Sequence, residues 1–413
     1  MADSPRGETD PAQARSSPPS NDRASAPIFI SAGEASGDWA GSMLVEALRK
    51  RGVTSRFRGV GGKLMREAGV ELLADSSTWG VIGLLAAIPK LPMAYSARFR
   101  ARAEWRKKPP AVVVLIDCGP FHMPLARIAR GLAIPVLYYL PPGAWSRRSR
   151  RLSLREIADV IATPFPWSRD ILAGGRARVE WVGHPAVERC RPQLSPAEAY
   201  AKYRLRPDGP ILALAPGSRE QETKSLVPVF VEAARLLQQE LPGIQFLVPV
   251  APNVDKHSLR DHFQAGGVSP VLLKGMDYDA LQLARAGVVC SGTATLEFTC
   301  LRLPMLVVYR PSLAVTLQFR LRQLRGAGSF FGLPNIIANR QVVPELFGAG
   351  ASPEAISSCV KDLISNERAL SEMKEELDEV AAALGPPTAS DRTAELVIEL
   401  IRAHSNRKGD DRQ

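Results

Sequence analysis

Cysteine and long apolar runs are scarce in this chain of 413 residues. Its cysteines stand singly, at Cys118, Cys190, Cys290, Cys300 and Cys359. That scatter forms neither a disulfide pattern nor the spacing of a metal site, so we expect a reducing cytoplasm and no bound metal. No stretch reaches about 18 uninterrupted apolar residues, so no transmembrane helix is expected.

Large apolar side chains are almost absent from residues 1–26, which are mainly Ser, Pro, Asp, Arg and Ala. We expect this tail to be disordered, and it lacks the apolar segment of a secretory signal. The whole chain is 45% hydrophobic and 23% charged, which is ordinary for a globular protein. At about 100–200 residues per domain, its length predicts two domains.

Acidic residues are outnumbered, and the net charge of +11 is concentrated in two stretches, 98–108 and 147–155. Such clusters attract phosphate in a nucleotide, a nucleic acid or an anionic membrane surface, unless they form a solvated basic face. We do not expect nucleic acid, because no aromatic-rich RNA platform or helix-turn-helix accompanies them. The neighbouring apolar segment 79–88 is too short to span a bilayer. It predicts either buried core or a surface resting on the membrane.

Continuous apolar strands alternate with helical stretches along the chain. One series is predicted at 28–32, 111–116, 135–139, 160–163 and 179–182, and a second at 211–215, 245–250, 271–273, 288–290 and 305–309. Strands of this kind, joined by crossovers, predict parallel sheets covered on both faces. Two such halves form two doubly wound α/β domains, whose ligands bind beyond the carboxyl ends of the strands. We therefore expect the active site in the cleft between the halves.

The turn Gly-Glu-Ala-Ser-Gly-Asp at 33–38 follows the first strand and opens a helix. Its glycines allow close approach to a ligand, and the amides at a helix start favour negative charge. Glu34 and Asp38 would repel a bare phosphate, so the turn is typical of a site for sugar hydroxyls or acid/base catalysis. The alternative is a plain strand-to-helix turn with Asp38 near the helix start.

Two further turns follow strands in the second half. Pro-Gly-Ser-Arg at 216–219 offers a hydroxyl and an arginine, whose planar fork of donors matches phosphate oxygens. Ser-Gly-Thr-Ala-Thr-Leu-Glu at 291–297 offers hydroxyls at a helix start and a carboxylate that can accept from ribose hydroxyls. Neither matches a Walker sequence or Gly-x-Gly-x-x-Gly. Each alone is compatible with a structural turn, but together they favour a nucleotide.

The order of the motifs carries more information than any one of them. The set is 32–38, Gly-Val-Gly-Gly at 59–62, Val-Ile-Gly at 81–83, Ile-Asp at 116–117, Gly-His-Pro at 183–185, 216–219, 291–297 and Pro-Asn at 334–335. In this order the motifs resemble those of the lipid-A-disaccharide synthase family. The resemblance implies a GT-B glycosyltransferase, with two Rossmann-like domains facing a deep cleft. It implies transfer of 2,3-diacylglucosamine from its UDP derivative to 2,3-diacylglucosamine 1-phosphate, forming a β-1,6 linkage with inversion and release of UDP. No cofactor and no catalytic metal are implied.

The same resemblance implies roles for particular residues. Asp117 would deprotonate the acceptor hydroxyl and Glu34 would be a second catalytic residue, although an aspartate in that place could instead cap a helix. Arg219 would hold the diphosphate and Glu297 the ribose. The other nucleotide-sugar residues would be Gly217, Ser218, Ser291, Gly292, Thr293 and Asn335, and the sugar or acceptor residues Ser36, Gly37, Asp38, His184 and Trp145. His184 is equally compatible with a core or hinge position, and Asn335 with a turn.

Departures from the family pattern lie on the acceptor side. After Asp117 the family usually continues Ala-Pro-Asp-Phe-Asn, where this chain has Cys-Gly-Pro-Phe-His at 118–122. The family's Ser-Pro-Ser-x-Trp-Ala-Trp corresponds to 141–147, with one tryptophan kept and two serines lost. The pattern thus supports nucleotide-sugar transfer more strongly than it identifies the acceptor. The alternatives are a transferase with another acceptor, a non-catalytic nucleotide-sugar-binding protein, and a hydrolase or epimerase of UDP-sugars.

Domain boundaries and location complete the expectations. We expect an acceptor-side domain at 27–187 and a nucleotide-sugar-binding domain at 188–380. A helical segment at 381–405 would pack back on the first domain, before a polar tail at 406–413. The protein is expected in the cytoplasm, peripherally associated with the inner leaflet of the inner membrane, and a homodimer is compatible with the sequence.

Overall fold

The computed structural model describes residues 26–76, 91–144, 152–252, 254–311 and 330–410. Within these ranges the strands form two sheets, one of seven and one of six strands. Neighbouring strands pair in parallel in both sheets. The predicted α/β class with two parallel sheets is confirmed.

The first sheet begins the chain. Its strands are β1 (Ile28–Ala32), β2 (Phe57–Gly61), β3 (Val70–Asp75), β4 (Val112–Ile116), β5 (Val136–Tyr139), β6 (Val160–Thr163) and β7 (Arg178–Trp181). Their order is β3-β2-β1-β4-β5-β6-β7. The helices between them are α1 (Ala35–Lys50), α2 (Lys63–Glu67), α3 (Leu91–Lys107), α4 (Gly119–Gly131), α5 (Leu152–Ile157) and α6 (Pro166–Leu172).

The second sheet follows two short helices, α7 (Ala186–Arg189) and α8 (Pro196–Tyr203). Its strands are β8 (Ile211–Ala215), β9 (Gln245–Val250), β10 (Val271–Lys274), β11 (Ala286–Cys290), β12 (Met305–Tyr309) and β13 (Glu345–Phe347), in the order β10-β9-β8-β11-β12-β13. The helices that follow α8 are α9 (Glu220–Glu240), α10 (Lys256–Ala265), α11 (Tyr278–Leu281), α12 (Thr293–Cys300), α13 (Leu333–Ala338), α14 (Pro353–Ser365), α15 (Glu367–Ala383) and α16 (Ala389–Asp410).

The sequence did not predict three of the observed strands, and each omission has a physical reason. β2 contains two glycines, so it lacks the continuous apolar side chains by which the other strands were predicted. Glycine is needed at Gly59 because β2 packs closely against β1: a Cβ there would lie 1.6 Å from the Ile30 carbonyl oxygen. β3 is half exposed, and β13 has three residues. The strands that were predicted begin and end within about two residues of their observed bounds.

The cores consist of strands covered on both faces. Every residue of β1, β4, β8 and β11 is buried, as expected for central strands of a doubly wound sheet. The α3 helix lies on one face of the first sheet, where the Trp105 ring meets the Phe29 ring edge-on with the centroids 4.9 Å apart. Burial of these aromatic rings fixes α3 to the sheet.

The chain passes between the two domains twice, and the two crossings touch. The His184 amide donates to the Leu384 carbonyl at 2.7 Å, and the Ser390 amide donates to the Glu188 carboxylate at 2.7 Å. After the second crossing, α16 packs against α1 and against β4, β5 and β6 of the first sheet. In the part of the chain that the structure describes, no helix has the length and apolarity needed to cross a membrane.

Candidate active site

The two sheets bring three loops to one place. Strand order reverses between β1 and β4 in the first sheet and between β8 and β11 in the second, and such switch points bind ligands beyond the carboxyl ends of the strands. Glu34 follows β1, Asp117 follows β4 and Arg219 follows β8. A Glu34 carboxylate oxygen lies 2.8 Å from an Arg219 guanidinium nitrogen. The carboxyl ends of the two sheets therefore face each other across the cleft.

Arg219 is held by one carboxylate from each domain. Its Nη2 donates to Glu34 and its Nη1 donates to Glu222, both at 2.8 Å. Burial alone would lower the pKa of the Arg219 guanidinium, but the charges of Glu222 and Glu34 outweigh burial and raise that pKa. The cleft thus holds an ionised arginine between one carboxylate of each domain.

Glu222 also occupies the backbone donors of the β8–α9 loop. The amides of Ser218 and Arg219 each donate to the Glu222 carboxylate at 3.1 Å. Gly217 has φ +104°, and a Cβ there would lie 2.5 Å from a Glu222 carboxylate oxygen, so only glycine fits. Two amides of this loop are therefore held by the buried Glu222 carboxylate.

The β11–α12 loop lies at the other side of the second switch point. The Ser291 hydroxyl donates to the Phe331 carbonyl at 2.8 Å, and Gly292, with φ +153°, precedes Thr293 at the start of α12. One turn later Glu297 is 6% exposed and accepts from the Tyr278 hydroxyl at 3.0 Å. Burial raises the pKa of Glu297, while the charge of Arg189 and the Tyr278 hydrogen bond oppose that rise.

Asp117 stands in an unusual backbone conformation directly after β4. Its φ is +52°, and the φ of the following Cys118 is +43°. The Asp117 carbonyl accepts from His122 Nδ1 at 2.8 Å and from the Tyr138 hydroxyl at 2.6 Å. The side chain of Asp117 is half-buried at the carboxyl end of the sheet. Asp117 and Glu34 are thus on the loops after two adjacent strands.

Asp38 is used inside the first domain. Its buried carboxylate accepts from the amides of Gly62, Leu64 and Met65, at 2.6, 3.0 and 3.2 Å. These are the free donors at the start of α2, so Asp38 stabilises that helix start. Ser36 is half-buried in the first turn of α1, and a Cβ on Gly37 would lie 3.1 Å from the Ala32 Cβ.

Asn335 and His184 also have internal partners. Asn335 is fully buried, and its amide group bonds to Val342, Val343 and Glu345. The His184 Nδ1 accepts from the Ala186 amide at 3.1 Å, and burial lowers the pKa of His184 to about 4. Asn335 lies inside the helix α13 and not in a turn, and His184 lies at the first crossing between the domains. Trp145 and the segment 79–88 lie outside the described residues.

Sequence reasoning missed three residues with a part in this geometry. Glu222, three residues after Arg219, could have been found from its capping-box position at the start of α9. Tyr278 and His122 left no signal, because their partners lie on other elements and only the fold brings them together.

The fold defines the class of protein first. The structure is similar to that of S. aureus MnaA in a co-structure with UDP, with a TM-score of 0.60 at 14% identity, covering 89% of this chain and 94% of that chain. It is also similar to Acinetobacter baumannii MurG, with a TM-score of 0.56 at 17% identity, covering 90% of this chain and 99% of that chain. At these identities the likeness establishes the two-domain GT-B-like fold alone.

Similarity of the amino-acid sequence to known proteins identifies the family. The family model for lipid-A-disaccharide synthetase (LpxB) matches residues 28–397. The lipid-A-disaccharide synthase of Syntrophus aciditrophicus is 35% identical over 377 residues, covering 91% of this chain and 98% of that protein. The synthase of Myxococcus xanthus is 35% identical over 376 residues, covering 91% and 97%. The chain belongs to the lipid-A-disaccharide synthase family and is a glycosyltransferase of lipid A biosynthesis. The family resemblance and the enzyme class predicted from the motifs are confirmed.

Proposed function

We propose that Asp117 is the general base of an inverting transfer from UDP-2,3-diacylglucosamine to 2,3-diacylglucosamine 1-phosphate. The observation that carries this proposal is the meeting of the loops after β1, β4 and β8, marked by the 2.8 Å contact between Glu34 and Arg219. An acceptor sugar bound there would have a carboxylate on one side and a cation for the leaving group on the other. Those are the two groups that such a transfer needs.

The reaction is a single displacement. The Asp117 carboxylate takes the proton of the acceptor 6-hydroxyl, and that oxygen forms a bond to C1 of the donor sugar. The bond between C1 and the diphosphate breaks, and UDP leaves with the electron pair. Charge that develops on the leaving diphosphate is stabilised by Arg219, because its half-buried guanidinium is already ionised and oriented by two carboxylates.

Donor binding requires an exchange of partners at Arg219. Its guanidinium is paired with Glu34 and Glu222, so the diphosphate takes the place of a carboxylate as the donor enters. The amides at the start of α12 lie beside the second switch point and would add further donors. Glu297, in the second turn of that helix, would accept from the ribose hydroxyls.

Asp117→Asn tests the assignment of the base. The amide keeps the shape of the side chain but cannot take a proton, so we expect turnover to fall by about 10²-fold or more. UDP affinity should stay near that of the wild type, because the donor site is on the other domain. Turnover is measured by mass spectrometry of the lipid product formed from both substrates, and UDP affinity by titration.

Asp75→Asn is the matched control. Asp75 ends β3 at the same edge of the same sheet, but it is exposed and pairs with Arg66. Its turnover should equal that of the wild type. An Asp117→Asn enzyme with turnover within about tenfold of the wild type would remove Asp117 from the role of base.

Peripheral association with an anionic membrane surface also belongs to the proposal. Tyr95 and Phe99 of α3 are 64% and 74% exposed, and Arg102 and Arg106 continue the same face at helical spacing. Exposed aromatic rings beside cations are typical of helices that rest on membranes. Association with the inner leaflet of the inner membrane would bring the cleft to its lipid substrates. The homodimer and the cytoplasmic location stay predictions.

A further inference from the structure

The segment directly after β4 has a conformation that its residues do not favour. Asp117 and Cys118 have φ of +52° and +43°. Side chains with a Cβ rarely adopt this left-handed region, and here two such residues follow each other. A backbone of this kind persists only where its surroundings hold it. The contacts that hold it therefore determine where the Asp117 carboxylate points.

Two side-chain donors meet at the Asp117 carbonyl oxygen. His122 Nδ1 lies 2.8 Å away, from the first turn of α4, and the Tyr138 hydroxyl lies 2.6 Å away, from the neighbouring strand β5. A carbonyl oxygen has two acceptor sites, so this one is fully used by these two donors. Together they fix the peptide plane between Asp117 and Cys118.

The protonation of His122 follows from its partners. A carbonyl oxygen can only accept, so Nδ1 must carry the hydrogen and donate. Burial lowers the pKa of the fully buried His122 to about 4, so the ring is neutral and its Nε2 is an acceptor. The hydroxyl of Ser31, 2.8 Å away, therefore donates to Nε2 and selects this tautomer.

The same contacts join the loops that carry Asp117 and Glu34. Ser31 lies on β1, three residues before Glu34, so the chain of hydrogen bonds runs from β1 through His122 to Asp117. The loops also pack directly, because a Cβ on Gly33 would lie 2.2 Å from the Cys118 Sγ. Glu34 and Asp117 thus belong to one supported unit.

We propose that His122 is a positioning residue for this glycosyltransferase: its neutral ring, held by Ser31, donates to the Asp117 carbonyl and aims the Asp117 carboxylate at the acceptor hydroxyl. The inference rests on the proposed role of Asp117 as base. His122 itself touches no reacting atom. Its effect belongs to turnover and not to binding of the nucleotide.

A pair of substitutions with the same shape tests the donor. In His122→Asn the side-chain amide nitrogen takes the place of Nδ1 and can still donate to the Asp117 carbonyl. His122→Leu has the same branching and no donor. We expect kcat of the Leu variant to fall by about 10²-fold, because a small displacement of a catalytic group has an effect of that size. The Asn variant should recover kcat to within about tenfold of the wild type, and KM for both substrates should change by less than about threefold in either variant.

Folding and binding are measured on the same samples. The amount of UDP bound at saturation counts the folded protein, and kcat is expressed per bound UDP. His262→Leu, at an exposed position on α10, is the control for loss of a histidine and should leave kcat unchanged. Tyr138→Phe removes the second donor to the same carbonyl without changing the ring, so it should lower kcat even if His122→Leu does not fold.

The outcomes distinguish a failure of the positioning role of His122 from a failure of Asp117 as the base. The positioning role is overturned if His122→Leu has the kcat of the wild type, or if the Asn and Leu variants lose kcat equally. Either result counts against His122 alone when Asp117→Asn still loses its turnover. Should His122→Leu not fold, a Tyr138→Phe enzyme with unchanged kcat overturns it instead. An Asp117→Asn enzyme that keeps its turnover removes the base itself, whatever His122 does. Recovery by Asn together with loss by Leu, at constant KM, supports the proposal.

Discussion

Charged side chains at the cleft are already paired within the protein, and this determines how ligands bind. Arg219 bridges Glu34 of the first domain and Glu222 of the second, each at 2.8 Å. A half-buried cation without partners would lose part of its solvation, so the carboxylates stabilise the arginine until a diphosphate replaces one of them. Donor binding is therefore a competition between phosphate and carboxylate for one guanidinium.

This competition predicts opposite effects at its two partners. Arg219→Ala should weaken UDP binding by about 1.5–3 kcal/mol, the usual contribution of hydrogen bonds to a charged group. Glu34→Gln should strengthen UDP binding, because the amide keeps the shape but competes less for the guanidinium. Both affinities are measured by calorimetric titration with UDP.

Glu220→Gln is the control for a general change of charge. Glu220 begins the same helix as Glu222, but its side chain is 78% exposed and pairs with Lys224. Its substitution should leave UDP affinity unchanged, because solvent screens exposed charges. Weaker UDP binding in Glu34→Gln would contradict the competition.

At the level of a single element, helix α3 has one face buried against the first sheet and another face exposed to solvent. Ala97, Ala101 and Trp105 recur at helical spacing and are buried against the first sheet. Tyr95, Phe99 and the arginines at 102 and 106 occupy another face and are exposed. Since the buried face fixes the helix, the exposed face can change without loss of the fold.

Membrane binding should therefore depend on the exposed face alone. Tyr95→Ser and Phe99→Ser, combined with Arg102→Gln and Arg106→Gln, should release the enzyme from anionic vesicles. Each basic residue near such a surface contributes about 1 kcal/mol. Flotation with phosphatidylglycerol vesicles measures binding, and a thermal melt checks that the variant stays folded.

A variant that removes two cations and one exposed apolar side chain from other surfaces provides the comparison. Leu64→Ser removes a 37% exposed side chain from α2, and Arg206→Gln with Arg260→Gln removes two exposed cations from the second domain. This variant should float as the wild type does. A folded α3 variant that still floats would contradict the assignment of α3 as the membrane surface.

At the scale of the whole molecule, the last helix ties the carboxyl end of the chain to the first domain. Leu396 and Val397 of α16 are 1% and 0% exposed, within the core that includes α1 residues Leu44 and Leu48. Ion pairs surround this packing, among them Arg178 with Glu399 at 2.9 Å. The first domain therefore depends on residues from both ends of the sequence.

Leu396→Ala should destabilise the enzyme through the first domain. The expected loss in the free energy of unfolding is about 2–5 kcal/mol, as for other buried leucines. Urea denaturation measures the loss, and hydrogen exchange of α1 amides should become faster.

Glu399→Gln removes a neighbouring ion pair and leaves the apolar contact intact. Because the Arg178 and Glu399 side chains are about half exposed, at 50% and 48%, the change should be at most about 1 kcal/mol. A Leu396→Ala enzyme with wild-type stability would mean that α16 is not part of the first core.

Local patterns in the sequence were sufficient to predict the class of fold, because continuous apolar strands separated by crossovers are typical of parallel sheets covered on both faces. They also placed Glu34, Asp117 and Arg219 after strands β1, β4 and β8, where doubly wound sheets bind ligands. Periodicity and strand ends are local properties of a chain, so they can be predicted without knowing which elements become neighbours.

Which polar groups are available to a ligand depends instead on contacts between elements that are distant in the sequence. Asp38 lies in the same turn as Glu34, yet its carboxylate bonds to the amides of α2 while that of Glu34 reaches Arg219, 185 positions away. His122 likewise meets Ser31 across 91 positions. Such pairings depend on how loops from separate strands pack, and a hydrogen bond between distant residues leaves no periodic trace in the sequence.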